Sequence, residues 1–187
     1  MAAVVGKAAT DSMKGSLRSD MAIQANAFVF GDDINTDYII SGKYKFKSND
    51  MNEMARHAME ELDADYYERV SPEGGILVAG TNFGCGSSRE QAPLVLIGSN
   101  TKAVLAKSFA RIFFRNAINT GLPVIECDTS RINEGDKLEV DVEKGSIKNL
   151  TSGEQLSFAP LSSVMAKLLA DGGLAPHFRK HGTFALE

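Results

Sequence analysis

Two serines and an arginine, Ser87, Ser88 and Arg89, follow a glycine-rich stretch near the middle of the chain. Glycines at positions 80, 84 and 86 leave this stretch with more bare backbone than a tight turn requires. Backbone N–H groups at a helix start bind anions, and a guanidinium matches a carboxylate through two parallel hydrogen bonds. The pattern therefore predicts a site for a small carboxylate, with Ser87 or Ser88 capping the helix that follows.

Other motifs fit this stretch less well. The phosphate loop GxxxxGK[ST] and its lysine are absent, and "GCGSSR" lacks the third glycine of a dinucleotide fingerprint. A hydrolase nucleophile would require G-x-S-x-G with histidine and acid partners. A serine oxygen surrounded by N–H groups and a cation has its alkoxide form stabilised, so one hydroxyl could accept a proton. The competing interpretation is an ordinary capped helix with an exposed arginine.

The elements that must position these side chains alternate between strands and helices. Apolar runs predict strands at 25–30, 74–80, 102–106 and 122–126, and a meander over 136–160. Helical spacing predicts helices at 50–62, 89–98, 109–121 and 161–173, whereas "DYII" at 37–40 is predicted to be extended. Residues 22–187 thus form a single mixed α/β domain, and residues 1–21 are predicted to be a mobile extension or tag.

Composition excludes several partners. A formal charge of -4 over 187 residues argues against nucleic acid and anionic membranes. No apolar run approaches the roughly 20 residues of a membrane span. The two cysteines form neither a CxxC pair nor a disulfide framework, which with the missing secretory signal predicts a reducing cytoplasm. Two thiols also cannot build a four-thiolate metal or iron–sulfur site in this chain.

Three motifs occur together, in the order "DDINTDYII", "NFGCGSSREQA" and "AKSFARIFFRNAINTGL". In combination they resemble the small-subunit family of isopropylmalate dehydratases, the separate-chain counterpart of the swivelling C-terminal domain of aconitases. The resemblance covers roughly residues 25–180 and implies a mixed-sheet, three-layer β/β/α swivelling domain. It further implies a hydro-lyase that is active only with a large subunit, whose three cysteines hold a [4Fe-4S] cluster with Lewis-acid iron.

The resemblance also implies individual roles. Ser87 would be the base that takes a proton from carbon, and Ser88 and Arg89 would bind a substrate carboxylate. Asp37, in "NTD", would support the acid side of the site. No metal ligand is expected in this chain because the cluster ligands come from the partner, and Cys85 is expected to be a packed small residue.

The substrate prediction depends on the loop that follows the first strands. Family members that act on tricarboxylic acids carry an arginine there, and Phe46 occupies its place, between Tyr44, Lys45 and Lys47. Phenylalanine cannot pair a carboxylate, so we expect an alkyl-substituted malate, with 3-isopropylmalate first. Two other substrates remain open, 2,3-dimethylmalate and 2-methylmalate. If Lys45 or Lys47 replaced the family's arginine, a tricarboxylate could bind, and a homoaconitase is the less favoured enzyme. The alternative from another class of protein is a non-catalytic carboxylate-binding module.

The remaining candidate polar residues are the three histidines and two arginines. His57 is predicted to be solvated on the polar face of its helix. His177 and His181 would suit a metal only with a third ligand, so they are predicted to lie in a surface tail. One of Arg111 and Arg115 is predicted to face the site or the subunit contact, and the other to form a surface ion pair.

Overall fold

The strands of the chain form one mixed sheet. The computed structural model describes residues 22–45 and 50–183, with the side chain of Lys45 outside the description. Within these residues the strands are β1 Ala22–Val29, β2 Gly75–Ala79, β3 Thr101–Ala106, β4 Val124–Glu126, β5 Lys137–Asp141, β6 Ser146–Asn149 and β7 Gln155–Ser157. Their order in the sheet is β4-β3-β2-β1-β5-β6-β7. The first four strands are parallel to one another, and β5, β6 and β7 continue as the predicted antiparallel meander.

Helices connect the parallel strands and close the chain. They are α1 Thr36–Ile39, α2 Gly42–Lys45, α3 Met51–Ala55, α4 Tyr66–Val70, α5 Gln91–Gly98, α6 Arg111–Thr120, α7 Ser163–Ala170 and α8 Leu174–His181. None of these helices is both long and apolar enough to cross a lipid bilayer.

The core lies on both faces of the sheet. One cluster packs Leu77 and Val104 beneath the helices. The other packs Ile76 and Leu105 against Val140 of the meander, because the sheet curls over itself. Every residue of β2 is therefore buried, as its unbroken apolar sequence indicates. The predicted mixed-sheet β/β/α domain is confirmed.

Two local predictions were wrong. Residues 37–40, predicted to be extended, belong mostly to the single turn α1, where Asn35 caps the helix by accepting a hydrogen bond from Asp37 N at 3.0 Å. The predicted 50–62 helix ends at Ala55, and Met59 has a positive φ of 58°. Its N–H donates to the carbonyl of Ile39 at 3.0 Å, so a tertiary contact replaces the helical hydrogen bond.

The carboxyl-terminal prediction was also wrong. His177 and His181 belong to α8 rather than to a surface tail, and His177 is only 1% exposed. A third polar side chain, Asp171, stands beside both rings.

Candidate active site

The glycine-rich loop lies at the carboxyl ends of the parallel strands β1 and β2. It is bound to the loop after β1 by two backbone hydrogen bonds, from Thr36 N to Cys85 O and from Gly84 N to Ile34 O, both 2.8 Å long. The Thr36 hydroxyl donates to the carbonyl of Ser87 at 3.0 Å. Ligands of open α/β sheets bind at this end of parallel strands. The fold thus holds the loop at the edge where a site is expected.

Two glycines of the loop are required by close approaches. Gly84 and Gly86 have φ values of 78° and 90°, which side-chain-bearing residues rarely adopt. A Cβ at Gly84 would overlap the ring of Phe113, and one at Gly86 would overlap the side-chain amide of Asn35. The bare backbone lets this loop pack directly against the cap of α1 and against α6.

Arg89 is fixed by two contacts from the loop around α1. Its Nη2 lies 2.6 Å from Asp37 Oδ1, and its Nη1 donates to the carbonyl of Ile40 at 2.9 Å. The Arg89 side chain is 19% exposed and that of Asp37 is 51% exposed. A guanidinium has more N–H donors than these two contacts use, so Arg89 keeps donors for a ligand.

A cavity of about 600 Å³ opens beside the loop. Ser87, Ser88 and Arg89 line it, together with residues from the first turns of α6. Both serines are exposed, and within the described residues neither hydroxyl has a hydrogen-bond partner. The structure therefore brings together the three side chains that the sequence predicted as neighbours of an anion.

The helix start at this cavity is that of α6, and the predicted capping of α5 by a serine was wrong. The helix α5 begins at Gln91 with Glu90 as its N-cap. The N-cap of α6 is Ala110, which lines the cavity and has no side chain able to cap the helix. Uncapped N–H groups at a helix start favour an anion.

Two further arginines line the cavity from α6. Arg111 and Arg115 are one turn apart, and both contribute to its wall. Neither forms an ion pair within residues 22–45 and 50–183, so the predicted surface ion pair for one of them is not found there. The cavity lining therefore contains arginines from two segments of the chain, the serine loop and α6.

Tyr44, a predicted substrate contact, is held by a neighbouring polar cluster. Its hydroxyl donates to Glu60 at 2.6 Å, which raises the pKa of this hydroxyl. Its ring stacks on His57 with centroids 3.8 Å apart, and His57 Nδ1 lies 2.7 Å from Glu60. His57 is therefore partly exposed, at 34%, but is also stacked and hydrogen-bonded within this cluster. Phe46, Lys47 and the Lys45 side chain lie outside the described residues.

Comparison with known proteins identifies the family. Residues 32–130 match the family model of the aconitase C-terminal domain. The chain is 50% identical over 162 residues to the 3-isopropylmalate dehydratase small subunit 2 of Archaeoglobus fulgidus, which covers 87% of this chain and 98% of that protein. The chain belongs to the 3-isopropylmalate dehydratase small-subunit family.

Other members agree in sequence and in fold. The isopropylmalate/citramalate isomerase small subunit of Methanocaldococcus jannaschii is 48% identical over 160 residues, covering 84% of this chain and 94% of that protein. A crystal structure of 3-isopropylmalate dehydratase from the same organism superposes with a TM-score of 0.82 at 42% identity, covering 87% of this chain and 96% of that one. The resemblance inferred from three motifs is confirmed.

The cysteines of this family member do not fit an iron–sulfur cluster. The chain has two, Cys85 and Cys127, fewer than the thiolates such a cluster requires. Burial, aided by the charge of Asp128, raises the pKa of the Cys127 thiol to about 12, so Cys127 is not a thiolate at neutral pH. The Cys85 sulfur lies 3.6 Å from the carbonyl of Asp33.

Sequence reasoning missed the residues that hold the site together. Asn35, Thr36 and the carbonyl of Ile40 position the serine loop and Arg89. The partners of Thr36 and Ile40 lie about 50 residues away along the chain, and no local period indicates such a pairing. The motif "INTDYII" as a unit was the only available signal.

Proposed function

We propose that this chain is the small subunit of a hydro-lyase that removes water from an alkyl-substituted malate and adds it back. The first candidate substrate is 3-isopropylmalate, isomerised to 2-isopropylmalate through the unsaturated intermediate. The observation that carries the proposal is the placement of Ser87, Ser88 and Arg89 in the lining of one cavity that Arg111 and Arg115 also line. A dianionic diacid suits a cavity lined by several cationic groups.

We assign substrate binding to the arginines of both lining segments, the serine loop and α6. Arg89 and the Ser88 hydroxyl would hold one substrate carboxylate, because Arg89 is already oriented by its contacts with Asp37 and Ile40. The second carboxylate would lie toward Arg111 and Arg115, whose charges are not neutralised by described residues. A substrate held at both ends keeps its central carbons at a fixed place above the serine loop.

The chemical step uses the Ser87 hydroxyl. The serine oxygen, as alkoxide, accepts a proton from a substrate carbon, and the electron pair of the C–H bond forms the double bond. The hydroxyl on the adjacent carbon takes a second proton from a general acid of the assembled enzyme and leaves as water. Addition of water with the opposite regiochemistry returns the proton and gives the isomer. The arginines and the uncapped start of α6 favour the negative charge on the serine oxygen.

A second polypeptide would complete this site. The family resemblance implies a [4Fe-4S] cluster on the large subunit, and we place it there because the two cysteines of this chain are too few to hold one. The large subunit would cover the cavity, whose lining includes Ile112, a large apolar residue that is 45% exposed. The free thiols of Cys85 and Cys127 are consistent with a reducing cytoplasm as the compartment.

A second candidate substrate is 2-methylmalate. It is supported by the relative from Methanocaldococcus jannaschii, whose name includes citramalate, which is 2-methylmalate. Its methyl group is smaller than an isopropyl group, so a cavity that accepts the larger substituent also admits the smaller one. Neither the cavity nor a relative named above favours 2,3-dimethylmalate over these two substrates. A non-catalytic carboxylate-binding module is the competing hypothesis from another class.

The test combines the purified chain with the large subunit of its own organism under anaerobic conditions. Absorbance of the unsaturated product is followed with 3-isopropylmalate, 2-methylmalate, 2,3-dimethylmalate and homocitrate as separate substrates. We expect turnover of 3-isopropylmalate, less with homocitrate, and none with either subunit alone. A complex that forms but turns over no alkylmalate would contradict the proposal and favour the binding module.

A further inference from the structure

A second cluster of ligand-type side chains lies far along the chain from the serine loop, where α7 meets α8. Asp171 follows α7 directly, and His177 and His181 are one turn apart on α8. Asp171 Oδ2 lies 2.7 Å from His177 Nδ1 and 2.9 Å from His181 Nε2. These three atoms all lie within 4.8 Å of one another. Two imidazoles thus converge on one carboxylate oxygen.

We propose that Asp171, His177 and His181 form a binding site for a single transition-metal dication of the zinc class. Two imidazole nitrogens and a carboxylate oxygen are a donor set that such ions prefer, whereas magnesium and calcium prefer oxygen alone. Ligand atoms about 2.0–2.2 Å from one zinc ion lie roughly 3.3 Å from each other in a tetrahedral arrangement. The distances from Asp171 Oδ2 to the two imidazole nitrogens, 2.7 Å and 2.9 Å, are shorter than this. Small side-chain movements would therefore open the space that the ion needs.

Burial gives two of the three ligands fixed positions. The side chains of Asp171 and His177 are 8% and 2% exposed, so packing fixes their orientation. The side chain of His181 is 34% exposed and leaves an approach from solvent. A site with two packed ligands and one accessible ligand loses little conformational entropy when the ion binds.

The other oxygen of Asp171 is held separately. Lys180 Nζ contacts Asp171 Oδ1, which leaves Oδ2 directed at the imidazoles. A hydrogen bond to the second oxygen of a ligating carboxylate is a common orienting contact in metal sites. The Lys180 side chain is 64% exposed, so its charge can move toward water when a cation binds.

The ligands come from the end of α7 and from α8, so a bound ion would join the two helices. Gly173 separates the helices with a φ of 110°, and a Cβ there would overlap the backbone at the end of α6. The connection is therefore held against α6, which carries Arg111 and Arg115 on another part of its surface. None of the three ligands lines the serine-loop cavity, so ion binding at this junction does not depend on the proposed function.

The test is a titration of the full chain, first stripped of metal with a chelator and dialysed. Isothermal calorimetry with Zn²⁺ should show saturable binding of one ion per chain, and Mg²⁺ should give none. His181→Ala should weaken Zn²⁺ binding by at least about tenfold. His57→Ala and Cys85→Ser are the controls and should bind Zn²⁺ as tightly as the unchanged chain does. Such a result would show that these two ligand-type side chains do not hold the ion.

Two further measurements test whether weaker Zn²⁺ binding by His181→Ala could result from unfolding of the variant. Circular dichroism should show that His181→Ala remains folded, because His181 lies at the exposed end of α8. Zn²⁺ should raise the unfolding midpoint of the unchanged chain and not that of His181→Ala. Absence of saturable Zn²⁺ binding, or equal binding by folded His181→Ala, would overturn the proposal and leave the cluster as a hydrogen-bonded helix junction.

Discussion

Arg89 and Asp37, which lie far apart along the chain, form an ion pair with a 2.6 Å contact in the candidate active site. The ion pair holds one terminal nitrogen of the guanidinium, and the carbonyl of Ile40 accepts a hydrogen bond from the other. Together these two contacts fix the orientation of the guanidinium. Asp37 is therefore best placed to orient Arg89. The role that the family resemblance implies for Asp37, on the acid side of the site, stays a prediction.

Asp37→Asn separates these two roles. If Asp37 mainly orients Arg89, loss of its charge should raise KM for the alkylmalate by about tenfold, equivalent to about 1.4 kcal/mol of binding, with a smaller change in kcat. The measurement is steady-state kinetics of the reconstituted complex. A large fall in kcat at unchanged KM would instead assign Asp37 to the acid chemistry. Asp37→Glu keeps the charge and is the matched control.

Ser87→Ala should remove the proposed base. We expect kcat to fall by about 10²–10⁴-fold while KM changes little, because the hydroxyl acts mainly in the transition state. Size-exclusion chromatography should show normal assembly with the large subunit. Ser157→Ala, on the exposed strand β7, is the control and should keep full activity. A Ser87→Ala complex that retains most of its turnover would exclude Ser87 as the base.

Gly86→Ala should disturb the loop through its backbone. The added Cβ would overlap Asn35, and φ at this position is 90°, so we expect a loss of about 1–3 kcal/mol in the free energy of unfolding together with reduced turnover. Gly153 has a φ of 81° with open space around it. Gly153→Ala therefore carries the conformational strain without the overlap. Equal effects of the two substitutions, by urea unfolding and kinetics, would argue against the close approach.

Phe46→Arg tests the substrate loop, which the sequence alone predicts. The added guanidinium should lower kcat/KM for 3-isopropylmalate and raise it for a tricarboxylate such as homoaconitate. Tyr44→Phe is the comparison, since it removes the hydrogen bond to Glu60 without adding a charge. Competition assays with the two substrates measure the ratio. An unchanged ratio in Phe46→Arg would show that this position does not select the substrate.

The pH dependence of Cys127 alkylation tests the burial of its thiol. Because burial raises the pKa of Cys127 to about 12, its thiolate is scarce below that pH. Its alkylation by iodoacetamide should be slow at pH 8 and should still be rising about tenfold per pH unit at pH 10. Mass spectrometry of the Cys127 peptide follows the rate, and the folded state is checked by circular dichroism. A rate that levels off near pH 9 would contradict the raised pKa.

Several features could be predicted from local sequence because local physics decides them. The unbroken apolar run at 74–80 becomes the fully buried strand β2. The helix before Gly121 ends there, since Gly121 adopts the left-handed conformation, with φ of 89°, that stops a helix. The short turns of the meander likewise occur where glycines allow positive φ, at Gly145 and Gly153.

Other features could not be predicted because their partners are remote. The turn α1 is too short to form by propensity, and it exists because Asn35 caps it and Thr36 bonds to the serine loop. The burial of His177 could not be predicted either, because it depends on the packing of α8 against α6.

The sequence by itself determined the family, the order of most strands and helices, and the run of glycine, serine and arginine to which we assign the chemistry. These properties reside in contiguous residues and in periods of a few residues. Only the tertiary structure decided that the cavity faces α6, that Asp37 holds Arg89, and that Arg111 and Arg115 both reach the site. Such relations depend on how remote segments pack, and packing is a property of the whole curled sheet with its helices.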